Sequence, residues 1–344
     1  MAKDRIVSAN QQSEDAPVET TDTPRSLRPT HLDGFTGQSA LRQRLCIALD
    51  AARQRNEPME HLLLHGPPGL GKTTLAHVVA NEMDSRVFVT SGPALTRGSD
   101  LVGTLTRMQP GDILFIDEIH RLPVSVEEYI YPAMEDFKID FTLDSGMHAK
   151  IVTYQLKPFT LIGATTRAGL LTSALRSRFG ISHRLDYYEV DELEAILERA
   201  MEQMKLTAVT PDARVRIAER SRGTPRICLR LLRRVRDFAQ VRNAGRIDAD
   251  VVTGALELEG VDELGLDALD RAYLRTVSRV YNGGPVGLEA IAATMGEDSG
   301  TLEDLVEPYL LQIGHLARTR QGRQLTSAAR TWLSTQGTSD HDLH

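Results

Sequence analysis

At 344 residues the chain exceeds one ordinary domain and suits two or three, with 41% hydrophobic residues to supply their cores. Charged residues at 25% exclude wholesale disorder, and the net charge of −7 excludes a generally basic, histone-like coat, though a local DNA-binding patch needs no more than a few residues. Two cysteines, Cys46 and Cys228, exclude a disulfide framework or a zinc ribbon, and the lack of any long apolar run predicts a soluble, cytoplasmic protein with no membrane partner.

Residues 1–27 are polar and acidic, without hydrophobic periodicity, so they are expected to be a disordered tail. From Phe35 the texture changes. Leu41, Leu45, Ala48, Leu49 and Ala52 recur at helical spacing. Four short apolar runs follow, HLLLH, RVFVT, DILFID and FTLIGAT, with helices or loops between them. Such strands predict a parallel sheet with helices on both faces, an α/β domain over residues 28–185. Residues 138–156 look like an inserted β-hairpin turning at Asp144, Ser145 and Gly146.

After Leu185 the expected strands stop. Four amphipathic helices form a small all-α domain over 186–260. The third of them, Arg226 to Arg242, is arginine-rich. Leu229, Leu232 and Val235 form its core stripe, and its arginines are expected to face solvent or a neighbouring subunit rather than DNA. Residues 261–335 read as three helices and a two-stranded flap, the winged variant of the helix-turn-helix plan, before a short tail at 336–344.

One motif carries chemistry on its own. Gly66, Pro67, Pro68, Gly69, Leu70, Gly71, Lys72 and Thr73 fit the phosphate-loop pattern, after an apolar strand and at the head of a helix, with Thr74 next. Average residue frequencies allow about one chance match in 100 chains of this length, before that context is required. The loop presents backbone N–H groups to phosphates, Lys72 adds a charge, and the Thr73 hydroxyl offers a magnesium ligand. ATP and magnesium are therefore the expected cofactors. Asp117 and Glu118 end the DILFID strand, where a parallel sheet places its ligands. Asp117 can complete the magnesium shell, and Glu118 can polarise the attacking water. Thr165 and Thr166 end the FTLIGAT strand at the same edge, so one of them can touch the phosphate or the water. Arg176 and Arg178 project from the surface if Phe179 packs inward.

The runs RPTHLDGFTGQ, GPPGLGKTTLA, ILFIDEIHRL, YPAMEDF, FTLIGATTRAGLLTSALRSRFG and GTPRICLRLLRRVRDFA occur in that order. Together they resemble the bacterial RuvB family, AAA+ motors that drive branch migration of Holliday junctions, from about Arg28 to Leu333. The resemblance implies that Asp117 and Glu118 form the second acidic motif and that Thr166 is the first sensor. It makes Arg178 an arginine finger acting in trans on a neighbour's ATP, and Arg226 the second sensor on a helical lid. Arg28, Leu32, Phe35 and Thr36 fall in the segment that cradles adenine. It also implies a homohexameric ring on double-stranded DNA arms, a RuvA-like junction-recognition partner and a RuvC-like resolvase. In the wing, Arg318, Arg320 and Arg323 would bind DNA, with Arg318 and Arg323 touching phosphates. The family's wing usually reads RTPRGR, whereas this chain has RTRQGR, and Ala174 stands where proline is usual. The hairpin carries few cations, so Leu143, Met147 and Ile151 are expected to dock the partner protein rather than DNA. A clamp-loader-like or initiator ATPase, using ATP as a switch on DNA, shares the motifs up to the second sensor. The hairpin, the winged helix and six-fold closure separate the two readings.

Overall fold

A computed structural model of the chain describes residues 27–142 and 151–336. The expected tails (1–26 and 337–344) and the hairpin tip, 143–150, lie outside those residues. Leu27 was expected to end the tail; it is instead buried in the first core.

α1 (Ser39–Arg55) seats Leu41, Leu45, Leu49 and Ala52 in the core, as its spacing predicts. β1 (Leu62–His65), α2 (Lys72–Glu82), β2 (Val87–Ser91), α3 (Gly98–Leu105), β3 (Ile113–Asp117) and α4 (Val124–Glu135) then alternate. β4 (Lys138–Thr142) and β5 (Ile151–Gln155) pair antiparallel as the base of the inserted hairpin. Thr153 ties them by donating to Asp140 at 2.6 Å. β6 (Thr160–Thr165), α5 (Ser173–Arg176) and β7 (Ile181–Arg184) complete the domain.

The sheet runs β2-β3-β6-β1-β7 with every pair parallel. Side chains on a strand alternate between its faces. Leu62, Leu64, Phe115 and Ile162 accordingly join the cluster with α1 and α2, while Leu63, Leu114, Ile116 and Leu161 join the one with α3 and α4. Both faces are covered, which is why these strands read as unbroken apolar runs. β7 is a fifth strand beyond the four expected. ISHR lies at the sheet edge and alternates half-buried with exposed residues, so it lacks such a run.

α6 (Val190–Gln203), α7 (Pro211–Glu219), α8 (Pro225–Arg242) and α9 (Ala249–Leu258) form the helical domain and share the first cluster. α8 buries Leu229, Leu232 and Val235, while Asp237 pairs with Arg234 and Arg236 on its surface. The last unit has its own core. It comprises α10 (Ala268–Arg279), α11 (Leu288–Met295), α12 (Ser299–Thr301), a π-helical turn (Leu302–Val306) and α13 (Glu307–Gln312). β8 (Leu316–Thr319) and β9 (Gly322–Leu325) make the wing, and α14 (Ser327–Gln336) packs behind it. Gly322 has φ 132°, and a Cβ there would stand 2.4 Å from the Val286 carbonyl oxygen, so the wing can close only on glycine. Among the described residues no helix is long and apolar enough to cross a membrane.

Candidate active site

β1, β3 and β6 are neighbours, so their carboxyl ends meet at one edge. After β1 the chain turns through Gly66, Gly69 and Gly71, all at positive φ. At Gly66 a Cβ would also stand 2.5 Å from the Leu185 carbonyl oxygen. α2 opens at Lys72 directly behind the loop, so its unpaired N–H groups face the same space. Lys72 is buried, and its Nζ donates to the carbonyls of Gly66 and Pro67, each at 2.8 Å. Burial lowers its pKa, against the opposing pull of Asp117 and Glu118.

β3 delivers both carboxylates. Asp117 Oδ1 accepts the Glu118 backbone N–H at 2.9 Å. Glu118 adopts φ 46° and ψ 45°, the left-handed region. That conformation costs a non-glycine residue about 1–2 kcal/mol and is found where function requires it. Its carboxylate accepts the Thr166 hydroxyl on Oε2 at 3.3 Å, and His120 Nδ1 lies 3.1 Å from the same oxygen. Thr165 lies 2.8 Å from the same histidine nitrogen. The two threonines thus divide: Thr165 is buried behind His120, and Thr166 reaches Glu118. Burial lowers the His120 pKa, although Glu118 pulls it the other way. Sequence reasoning missed His120, whose only signal was its place two residues beyond Glu118.

These groups line a cleft of about 390 Å³ with Pro68, Gly69, Leu70, Gly71, Lys72, Thr73 and Thr74 on its floor. That volume suits a nucleotide-sized ligand. Arg28, Phe35 and Thr36 form one wall, and Arg226 comes from the helical domain. The Arg226 N–H donates to the Gly69 carbonyl at 3.3 Å, which joins that domain to the loop. Leu32, expected in the adenine cradle, does not line the cleft. It heads a short 3₁₀ turn whose N–H is held by Glu82, and its side chain is buried in the core beneath the wall. Leu27, Pro29, Tyr188, Ile196, Arg199 and Leu229 line the cleft without having been expected. Tyr188 donates to the Leu70 carbonyl at 3.2 Å, and Arg199 donates to that of Gly34.

Thr73 and Asp117 offer a hydroxyl and a carboxylate to the same cleft, a donor pair that fits magnesium. Among the described residues no group of three or more His, Cys, Asp or Glu could hold a metal alone. An ion here would take its remaining ligands from phosphates and water, as magnesium commonly does.

Arg178 does not line this cleft. Phe179 is buried as expected, and the Arg178 guanidinium lies over the Tyr131 ring at 4.4 Å, 3.1 Å from Glu135. In the wing, the two arginines expected on phosphates also have an internal partner. Arg318 and Arg323 each donate through Nε to Glu307 at 2.8 Å, and Glu307 is fully buried. Glu307 offsets part of their charge from within, because a carboxylate out of water requires cationic partners. Arg320 is exposed at the wing turn. Of the expected docking residues, Leu143 and Met147 lie outside the described residues and Ile151 opens β5. Val152 and Tyr154, next to it, are exposed.

Comparison with known proteins agrees with this geometry. Residues 27–185 match the Holliday junction DNA helicase RuvB P-loop domain, 188–262 the RuvB AAA lid domain and 263–334 the RuvB C-terminal winged helix domain. The chain is 53% identical over 318 residues to the Holliday junction branch migration complex subunit RuvB of Desulfosudis oleivorans, covering 92% of each chain. The Thermotoga maritima RuvB Holliday junction branch migration motor superposes with a TM-score of 0.82 at 49% identity, over 90% of this chain and 99% of that one. An arginine-to-alanine variant of the same Thermotoga protein superposes equally well, with a TM-score of 0.82 over 98% of its length. The parallel α/β domain with its phosphate loop, the helical lid and the winged helix thus recur in order over residues 27–334, and the chain belongs to the RuvB family of Holliday junction DNA helicases.

Proposed function

We propose that the chain is the ATP-hydrolysing motor of Holliday junction branch migration, acting in homologous recombination and DNA repair. The observation that carries the hydrolytic part of this reading is Glu118, strained and fixed by Thr166 at the mouth of a phosphate-loop cleft, and the lid and winged helix that follow carry the rest. A protein that only switched on nucleotide binding would have no need of a carboxylate poised for water. Lys72 and the loop N–H groups hold the phosphates of ATP. Glu118 accepts the proton of the attacking water, while Thr166 and His120 keep its carboxylate from rotating away. Magnesium, held by Thr73 and Asp117 when bound, would offset the charge on the phosphates. Arg226 brings the lid onto the loop, and Arg178 serves the nucleotide of an adjacent subunit.

The rest of the reading follows from the family. Six copies close a ring around a duplex arm in the cytoplasm, where the chromosome is. The winged helix meets phosphates, with Arg320 as the wing's available cation. The hairpin, through Leu143, Met147 and Ile151, docks a RuvA-like protein that recognises the junction, and a RuvC-like resolvase acts beside them. The clamp-loader-like alternative is not favoured, because the match continues through the lid and the winged helix.

The test is branch migration of a synthetic four-way junction. Lys72→Ala should bind no ATP, since its ammonium serves the bound ground state. Glu118→Gln should bind ATP and DNA normally yet turn over at most a hundredth as fast, since the carboxylate serves the attacking water. Equal loss of ATP binding in both variants would overturn this division of roles.

A further inference from the structure

Arg178 is held in a cradle built largely by one neighbouring helix, while its Nη1 donates to the Ala174 carbonyl of its own segment at 2.6 Å. α4 presents Tyr131 and, one turn later, Glu135. The guanidinium lies over the Tyr131 ring at 4.4 Å, and its Nη2 is 3.1 Å from Glu135 Oε1. Its Nε is buried without a hydrogen-bond partner, as expected of a group stacked on a ring face. The ring is itself fixed. Its hydroxyl donates to Glu127 at 2.5 Å and lies 3.2 Å from the Thr172 hydroxyl. Thr172 also donates to Glu127 at 2.9 Å and caps α5 through the Leu175 N–H. Glu127 is buried, so this three-way contact locks α4 to the cap of α5, the short helix that ends two residues before Arg178.

The two contacts that α4 makes with Arg178 differ in kind. An aromatic face orients a guanidinium without neutralising it, leaving its N–H edge and its charge for a phosphate. A carboxylate at 3.1 Å competes with that phosphate and must be left behind. Glu135 is largely exposed, so the pair can separate at little cost. We infer that Tyr131 is the positioning residue for Arg178 and that Glu135 restrains it, so α4 governs how readily one subunit serves its neighbour's ATP. α4 ends at Glu135, three residues before the hairpin strand β4, so the cradle stands at the hairpin's root. The inference rests on the reading that Arg178 acts in trans.

The experiment uses full-length protein on duplex DNA with steady-state ATP hydrolysis. Tyr131→Leu should lower kcat about tenfold with KM for ATP changed less than about twofold, a loss in proportion to one cation–π contact. Tyr131→Phe, which keeps the ring, should stay within about threefold of the parent. Glu135→Gln, a surface change with little bearing on folding, should raise kcat about two- to threefold. Each variant is then mixed with Lys72→Ala subunits, which lack a working site but keep a normal finger. Tyr131→Leu should regain hydrolysis in the mixture, because its own site is intact and the neighbour supplies the finger. Damage to its own fold or site would not be rescued in this way. If Arg178→Ala recovers in that mixture and Tyr131→Leu does not, the positioning role is wrong. A fall in kcat for Glu135→Gln would overturn the restraint. If Arg178→Ala itself fails to recover, the trans reading is wrong and this inference goes with it.

Discussion

Replacing both Arg318 and Arg323 with alanine should damage the winged-helix domain itself, before any effect on DNA is measured. Glu307 is fully buried, and its oxygens receive the Tyr273 hydroxyl at 2.7 Å and the Nε of each arginine at 2.8 Å. The double variant leaves that carboxylate one neutral donor. Stranding a buried charge in this way costs about 3–5 kcal/mol. Arg323 is only 20% exposed against 43% for Arg318, so it carries the larger share. Arg323→Ala alone should cost about 2 kcal/mol and Arg318→Ala about 1 kcal/mol, the latter reduced by solvent.

The assay is urea unfolding of the full chain followed by tryptophan fluorescence. Trp332 is the chain's single tryptophan, and it packs in the winged-helix core with its ring 6.0 Å from that of His315. It therefore reports this domain alone. Adding Glu307→Gln to the double variant removes the stranded charge and should return at least half of the lost stability. A Trp332 midpoint that does not move in the double variant would refute the clamp, and so would a triple variant no better than the double.

Arg320 should behave in the opposite way. Arg320→Ala should leave the Trp332 transition in place and reduce the log–log salt slope of duplex binding by about 0.9, one phosphate contact; loss on a single DNA sequence would contradict this. His120→Ala should lower kcat about tenfold with ATP affinity retained, because Glu118 then keeps only its Thr166 contact; a matching fall in affinity would count against the support role. His61 gives a pH dependence. Its Nδ1 accepts the Leu161 N–H at 2.9 Å, and burial lowers its pKa below 6.5. The unfolded chain thus binds the proton first, so this contribution to stability is complete above about pH 6.5 and lost as pH falls below it. Unfolding followed by circular dichroism should show a flatter pH dependence between 7.5 and 5.5 in His61→Gln than in the parent, and equal slopes would refute the assignment.

The core of the fold was legible because burial on both faces writes itself into composition. Leu62 to Leu64 and Ile113 to Ile116 could hardly be anything but inner strands, and the glycine loop between them fixed the ligand edge. β7 escaped because an edge strand needs few apolar residues, and Ser182 and His183 obscure it. α14 escaped because SAARTWLSTQ offers little periodicity beyond Ala329 and Trp332. At the site, residues that act through their own chemistry were visible: Lys72, Thr73, Asp117, Glu118. Those that act through a partner distant in the chain were not. His120 matters because Thr165, 45 positions away, meets it, and Leu32 was displaced from the cradle by Glu82, 50 positions away. The wing arginines teach the same point with charge. A run of cations displays its sign, but whether that sign is free depends on a carboxylate on another element.

The end of β6 faces two ways, and this ties the separate parts together. Thr166 holds Glu118 at the cleft, while the next residue, Arg167, reaches the winged helix and pairs with Glu303 at 3.1 Å and Asp304 at 2.5 Å. Glu303 in turn stands 3.9 Å from Arg318 and 3.8 Å from Arg323. A continuous chain of polar contacts therefore runs from the carboxylate that faces the water to the clamp beneath the wing. Its members differ in strength. The clamp on Glu307 is buried and costly to open, whereas Arg167 and its acidic partners are each at least a third exposed, and a pair of that kind contributes about 1 kcal/mol or less. The wing thus stays rigid while its joint to the ATPase domain can part and re-form at thermal cost. A motor that converts hydrolysis at one end into movement of DNA at the other needs this division between a firm grip and a yielding joint.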